Sequence, residues 1–282
     1  EFEDIMTREY LPSLAASIAA LSLCATPSLS HEFWLEPEIR AVELGETLSV
    51  DMLVGQDFVG TKLPYLPDTV QSMLHWSPVG GQTVNARIGD IPVMQNILLD
   101  QLGLHRFSLA TNPAYIVFDD LAEFTDYLTY EGLEDVVALH RQRGLPDAEI
   151  AESYIRNART LIQVGPATAD QIDTPTGMPF EIVALANPFL NGLTSFDVSL
   201  TWQNAPVANA QISVFHRPEG AEAAQDTTRH LLITDDQGHA RLSLNEPGSY
   251  LLNAVRIDPV KGPGSVVWQS HWASLTFQIP AQ

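Results

Sequence analysis

Polar and apolar residues alternate along the first third of the chain. Residues 40–44, the turn Gly45-Glu46-Thr47 and residues 48–54 read as a half-buried hairpin. Further runs at 71–76, 83–87, 104–109 and 115–118 are separated by turn-forming stretches such as Pro78-Val79-Gly80-Gly81 and Thr111-Asn112-Pro113. Short strands at this spacing predict a small β-sandwich.

The period then shifts towards 3.6. Residues 119–128, 133–143 and 147–161 carry helical spacing, with Leu133, Val136, Val137 and His140 on one face and Asp119 and Asp147 at amino-terminal cap positions. They predict a helical insert beside or between sandwiches, or a lid over a ligand. Residues 165–178, rich in Pro, Thr, Ala, Asp and Gly, show no period and read as a linker. A second series of strands follows at 180–185, 196–202, 210–216, 229–234, 240–244, 250–257 and 268–279.

The stretch from Ser28 to Pro37 marks where an export signal ends. Met6-Thr7-Arg8 opens a short basic region, residues 11–25 are apolar and small, and Ser28 and Ser30 suit signal peptidase. Residues 1–5 read as sequence upstream of the initiator. The apolar run is too short for a membrane anchor, and Cys24 is preceded by Leu23, which does not fit a lipoprotein signal. Cleavage after Ser30 would leave His31 first, with an α-amine and an imidazole on one residue and Phe33 and Trp34 anchoring that end against a core. The expected division is upstream residues and signal 1–30, amino-terminal sandwich 31–118, helical insert 119–164, linker 165–178 and carboxy-terminal immunoglobulin-like sandwich 179–282.

Composition narrows the chemistry. Cys24 is the only cysteine, so a processed chain has neither disulfides nor thiolate ligands. Its 282 residues and 45% hydrophobic content suffice for one or two cores, and a net charge of −21 argues against nucleic acid or anionic membranes as partners. No GxSxG elbow, phosphate loop, dinucleotide fingerprint or HExxH motif is present. The acidic pairs Asp119-Asp120, Glu134-Asp135 and Asp235-Asp236 sit at caps, turns or solvated faces, so the chain does not read as an enzyme.

Residues 234–242 and 247–252 resemble the sandwich modules grouped with transthyretin-like and carboxypeptidase-regulatory domains. More particularly, His31-Glu32-Phe33-Trp34-Leu35-Glu36-Pro37, Tyr127-Leu128-Thr129-Tyr130-Glu131-Gly132-Leu133 and Trp268-Gln269-Ser270-His271-Trp272-Ala273-Ser274-Leu275-Thr276-Phe277 together resemble the NikM-like family of exported proteins. The resemblance implies a periplasmic protein of immunoglobulin-like sandwiches associated with nickel or cobalt uptake. Two positions depart from the family pattern: Arg256 stands where many members carry histidine, and His271 where they carry an apolar residue.

The expectation is thus a mainly β protein, two immunoglobulin-like or transthyretin-like sandwiches with a helical insert, that binds a divalent transition metal in the periplasm. His31 is the primary candidate ligand, with His75, His105 and His271 as further candidates. Imidazole suits nickel, cobalt, copper and zinc alike, with copper favoured by intrinsic affinity; nickel, cobalt or copper is the expected metal. His140 reads as a core residue, and His216, His230 and His239 as solvated. Transport would require a membrane transporter component as partner. Two alternatives are a histidine-brace copper oxidase, which needs another histidine beside His31, and a metal-independent envelope or glycan-binding module using Tyr65, Trp76 or Trp202.

Overall fold

The computed structural model describes residues 31–38, 42–221, 226–244, 246–262 and 264–280. The expected signal segment lies outside them. The first half contains β1 (Glu32–Pro37), β2 (Thr47–Gln56), β3 (Val59–Lys62), β4 (Val70–Ser77), β5 (Gly80–Thr83), β6 (Met94–Leu98), β7 (Gly103–Thr111), β8 (Ala114–Asp120), helices α1 (Leu121–Tyr130) and α2 (Asp135–Gln142), and the long strand β9 (Ala148–Val164). The second half contains β10 (Phe180–Ala184), β11 (Ser195–Trp202), β12 (Ala205–Pro206), β13 (Gln211–Pro218), β14 (Thr228–Ile233), β15 (His239–Ser243), β16 (Gly248–Pro259) and β17 (Val266–Ile279). The protein is mainly β, and the two helices form an insert.

One nine-stranded sheet runs through both halves in the order β14-β13-β16-β17-β9-β7-β4-β5, with β8 also on β9. The halves join where β17 pairs parallel with β9. Strand alternation sends neighbouring side chains of this sheet to opposite faces. Ala273 and Leu275 meet Phe180, Phe196 and Leu242 of the small sheet β10-β11-β12 with β15. On the other face, Phe107, Ala158 and Ile162 pack under the small sheet β1-β2-β3 with β6. That second face also takes the helices, through Phe124, Tyr127 and Leu128 against Trp268 and Trp272. Leu275 is fully buried, so Leu275→Ala should lower stability by about 2–5 kcal/mol. Urea denaturation measures this, and an unchanged midpoint would contradict the packing.

Four expectations need correction. Residues 147–161 form most of strand β9 instead of a helix. Both faces of β9 are covered, so the alternation that marks a half-exposed strand is missing, and its apolar residues fall by chance at near-helical intervals. The hairpin of 40–44 with 48–54 does not form: β2 pairs with β1 instead, and Val42 makes only an isolated bridge to Val164; residues 39–41 lie outside the described set. The strand expected at 83–87 sits earlier, in β5, which overlaps the stretch read as a turn. Finally, the α1 cap is Asp120, whose Oδ1 accepts from the amides of Ala122 (2.8 Å) and Glu123 (2.9 Å), and Asp147 precedes a strand.

Candidate functional site

β1 seats the site. Phe33 and Leu35 enter the core containing Val50, Met52 and Phe107, whereas Trp34 packs on Phe58, Phe215 and Leu251. Phe33 and Trp34, the expected anchors, are therefore buried in different clusters on either side of the strand. Glu32 shares the side of Trp34 by alternation and is fully buried.

His31 stands at a pocket of about 340 Å³ whose lining includes Tyr127, Glu152, Tyr154, Arg156 and Trp272. Arg156 Nη2 donates to the His31 carbonyl at 3.4 Å, and its guanidinium lies over the rings of Tyr154 (4.6 Å) and Phe33 (5.5 Å). Burial, and then the charge of Arg156, hold the His31 imidazole below its usual pKa. His31 Nδ1 is buried without a protein hydrogen-bond partner. Across the pocket, Glu152 Oε1 accepts from the Ser270 hydroxyl and faces the Tyr127 hydroxyl at 3.4 Å, while Oε2 has no protein partner. Burial raises the Glu152 pKa to about 7, against the opposing pull of Ser270, Tyr127 and Arg156.

A polar cluster adjoins this pocket beneath β1. α1 is followed, past its cap Glu131, by Gly132, whose φ of 71° suits glycine and where a Cβ would meet the Gln211 side chain at 2.7 Å. The tight exit leaves Glu131 buried, with its Oε2 accepting from Asn253 Nδ2 at 3.5 Å. The Tyr130 hydroxyl lies 3.0 Å from Asp57 Oδ1 and 3.4 Å from Glu32 Oε1. Arg229 donates to the Tyr130 carbonyl at 2.7 Å and to Ser213 Oγ at 2.8 Å. Burial, reinforced by Glu32 and opposed by Arg229, pushes Glu131 up to about 8. Burial and the charge of Asp57 push Glu32 up to about 7.

The three sequence motifs thus meet in space. The first contributes His31 and Glu32, the second Tyr127, Tyr130 and Glu131, and the third Ser270, Trp272 and Ser274. Sequence reading used these stretches as family markers and missed Glu32, Glu131 and Glu152 as site residues. The available signal was a carboxylate embedded in an aromatic motif, a placement that solvation alone does not require.

The other candidate histidines lie elsewhere. His75 Nε2 and His105 Nδ1 are 2.8 Å apart, His105 Nε2 is 2.8 Å from the Gln101 carbonyl, and His75 Nδ1 is 3.1 Å from Gln82 Nε2. One tautomer set satisfies all four nitrogens: each Nε2 carries the proton and donates, and each Nδ1 accepts. The His75 ring also stacks on Phe107 at 4.5 Å. Burial keeps both imidazoles below their usual pKa. The pair is closed on itself, and a metal ion would have to displace these hydrogen bonds.

His271 shares the face of Ala273, opposite Trp272, and its ring packs on Trp202 at 4.5 Å. It therefore cannot join His31. His140 is a core residue, with Nε2 donating to the Pro146 carbonyl (3.0 Å) and Nδ1 accepting from Trp268 Nε1 (3.2 Å). His216, read as solvated, is 9% exposed and packs on Tyr250, because β13 is an interior strand. Among the described residues, no three His, Cys, Asp or Glu side chains are grouped to hold a metal ion. A larger cleft of about 460 Å³ is lined by residues including Glu36, Asp51, Lys62, Phe189 and Tyr250, but no histidine lines it.

Among the described residues, no helix is long and apolar enough to cross a membrane. The family described as a domain of unknown function, DUF4198, matches residues 28–258. No curated protein matches the chain.

Proposed function

We propose, for a chain that belongs to the DUF4198 or NikM-like family and through it is linked to metal uptake, a non-enzymatic role in handling a divalent transition metal at a processed amino terminus. In this reading, export and cleavage after Ser30 deliver the protein to the periplasm. Nickel, cobalt or copper binds His31 through its α-amine and imidazole and passes to a membrane transporter component. The paired sheets are in keeping with two immunoglobulin-like or transthyretin-like sandwiches sharing a central sheet. The family membership agrees with the non-enzymatic reading drawn from the sequence.

The observation that carries this reading is His31 Nδ1, buried without a protein partner at a pocket that Glu152 also lines with an unpartnered oxygen. Amine, imidazole and carboxylate make a nitrogen-rich donor set suited to late first-row metals. Arg156 pins the His31 backbone, although its positive charge opposes a cation. A histidine-brace oxidase is less well supported, because no other histidine lines this pocket.

Calorimetric titration of Ni(II), Co(II) and Cu(II) into protein starting at His31, its first residue verified by amino-terminal sequencing, tests the proposal. The comparison includes a form extended by one glycine, His31→Ala and Glu152→Gln. Each change should weaken binding by about tenfold or more. Affinity should also fall below neutral pH, where protons compete for an imidazole of reference pKa about 6.5 and an amine of about 7.7–8.0. Equal affinity in the native, extended and His31→Ala forms would overturn the site.

A further inference from the structure

We propose that Glu32, Glu131, Asn253 and Ser274 form a second, buried site that takes an oxygen-preferring divalent cation of the calcium or manganese class. It is chemically separate from the nitrogen site at His31 and stands whether or not that site binds metal.

Glu32 Oε2, Glu131 Oε1, Asn253 Oδ1 and Ser274 Oγ are all buried without a protein hydrogen-bond partner. The four residues are 0%, 2%, 1% and 2% exposed. Buried polar groups are ordinarily paired, and leaving one unpaired costs about 1–3 kcal/mol. Several such atoms in one cluster call for a common partner.

The fold groups these residues. Asn253 and Ser274 are direct cross-strand neighbours of β16 and β17, so their side chains share one face. Asn253 directs its Nδ2 to Glu131, leaving the amide oxygen as an acceptor. Glu32 descends from β1 over the same face: Trp34, on its side of the strand, packs on Leu251, and Glu32 Oε1 lies 3.4 Å from the hydroxyl of Tyr130, the residue before Glu131.

Charge and donor type set the ligand class. Glu32, Glu131 and neighbouring Asp57 outweigh Arg229 by two negative charges when all are ionised, which suits a divalent cation. Carboxylate, amide and hydroxyl oxygens without sulfur or imidazole are the donors of calcium, magnesium and manganese. Exposed Asp57 and half-buried Tyr130, joined at 3.0 Å, mark the route from solvent.

The test is calorimetry and thermal melting of protein starting at His31 with CaCl2 and MnCl2. Native protein and His31→Ala should bind with equal affinity and melt at higher temperature with the cation. Glu131→Gln and Ser274→Ala should bind about tenfold or more weakly, because affinity in oxygen sites follows ligand number and charge. Circular dichroism confirms that both variants are folded, and Ser274→Ala serves if Glu131→Gln is not. Absence of heat and of a melting shift with both cations in the native protein would overturn the proposal. Unchanged affinity in the folded variants would do the same. Loss of binding in His31→Ala alone would return the cation to the amino-terminal site and overturn this one.

Discussion

Asp173→Ala is expected to lower folding stability by about 3–5 kcal/mol, the usual cost of stripping one partner from a buried ion pair. Asp173 lies in the stretch 165–178 that composition alone makes a linker. Its Oδ1 accepts from Arg159 Nη2 at 2.6 Å, and its Oδ2 accepts from the Ala184 amide at 3.0 Å. Arg159 is fully buried, also donates to the carbonyls of Ile182 (2.6 Å) and Thr174 (2.9 Å), and has Glu181 at 3.7 Å. Removing the Asp173 carboxylate leaves the buried guanidinium without its hydrogen-bonded carboxylate, with Glu181 at 3.7 Å as its remaining counter-charge, and an unpaired amide in β10. Equilibrium urea unfolding of both proteins measures the loss. A cost under about 1 kcal/mol would place the pair in the range of exposed salt bridges and contradict its burial. The double variant Arg159→Met with Asp173→Ala should recover part of the loss, because it removes the uncompensated charge.

The second large effect is an acid dependence carried by His75. Burial, followed by the neighbouring His105, pulls its pKa from 6.5 to about 4. The sign follows from proton counting. Between about pH 6.5 and 4 the unfolded chain binds a proton at this residue that the folded chain does not, so stability falls as pH falls. At about 1.4 kcal/mol per decade, the interval contributes a loss of about 3 kcal/mol below pH 4. His75→Gln cannot ionise and should flatten this part of the curve. Glu32, Glu131 and Glu152, all raised, act in the opposite direction. They bind protons in the folded state above the unfolded value of 4.5, and their contribution is lost as pH rises through about 7–8. The informative quantity is therefore native minus His75→Gln, read from urea midpoints at pH 7, 5.5 and 4. A constant difference across that range would show that the imidazole pair titrates normally.

Much of the fold was legible where β-branched, aromatic and other apolar residues cluster in short runs between turns. Residues 71–76, 104–109, 196–202 and 268–279 lie within β4, β7, β11 and β17. Their turns carry Gly, Pro and Asn for backbone reasons visible without neighbours. The same local reasoning failed at β9, where Glu152, Asn157 and Arg159 are buried among partners from distant segments, and at β2, which chose β1 over the nearer 40–44.

The sequence by itself determined a mainly β chain with a helical stretch between two series of strands, the motifs that mark its family, and the lack of any cysteine beyond Cys24. Those properties depend on side-chain type and short spacing, which a linear reading contains. Only the tertiary structure decided that both halves share one sheet, that His75 and His105 close on each other, and that His271 faces away from His31. It alone brought Glu32, Glu131 and Glu152 together under the amino terminus. Parallel pairing of β9 with β17 joins residues more than a hundred positions apart. Which face each residue takes then follows from register, and a shift of one position would exchange the buried carboxylates for the opposite core.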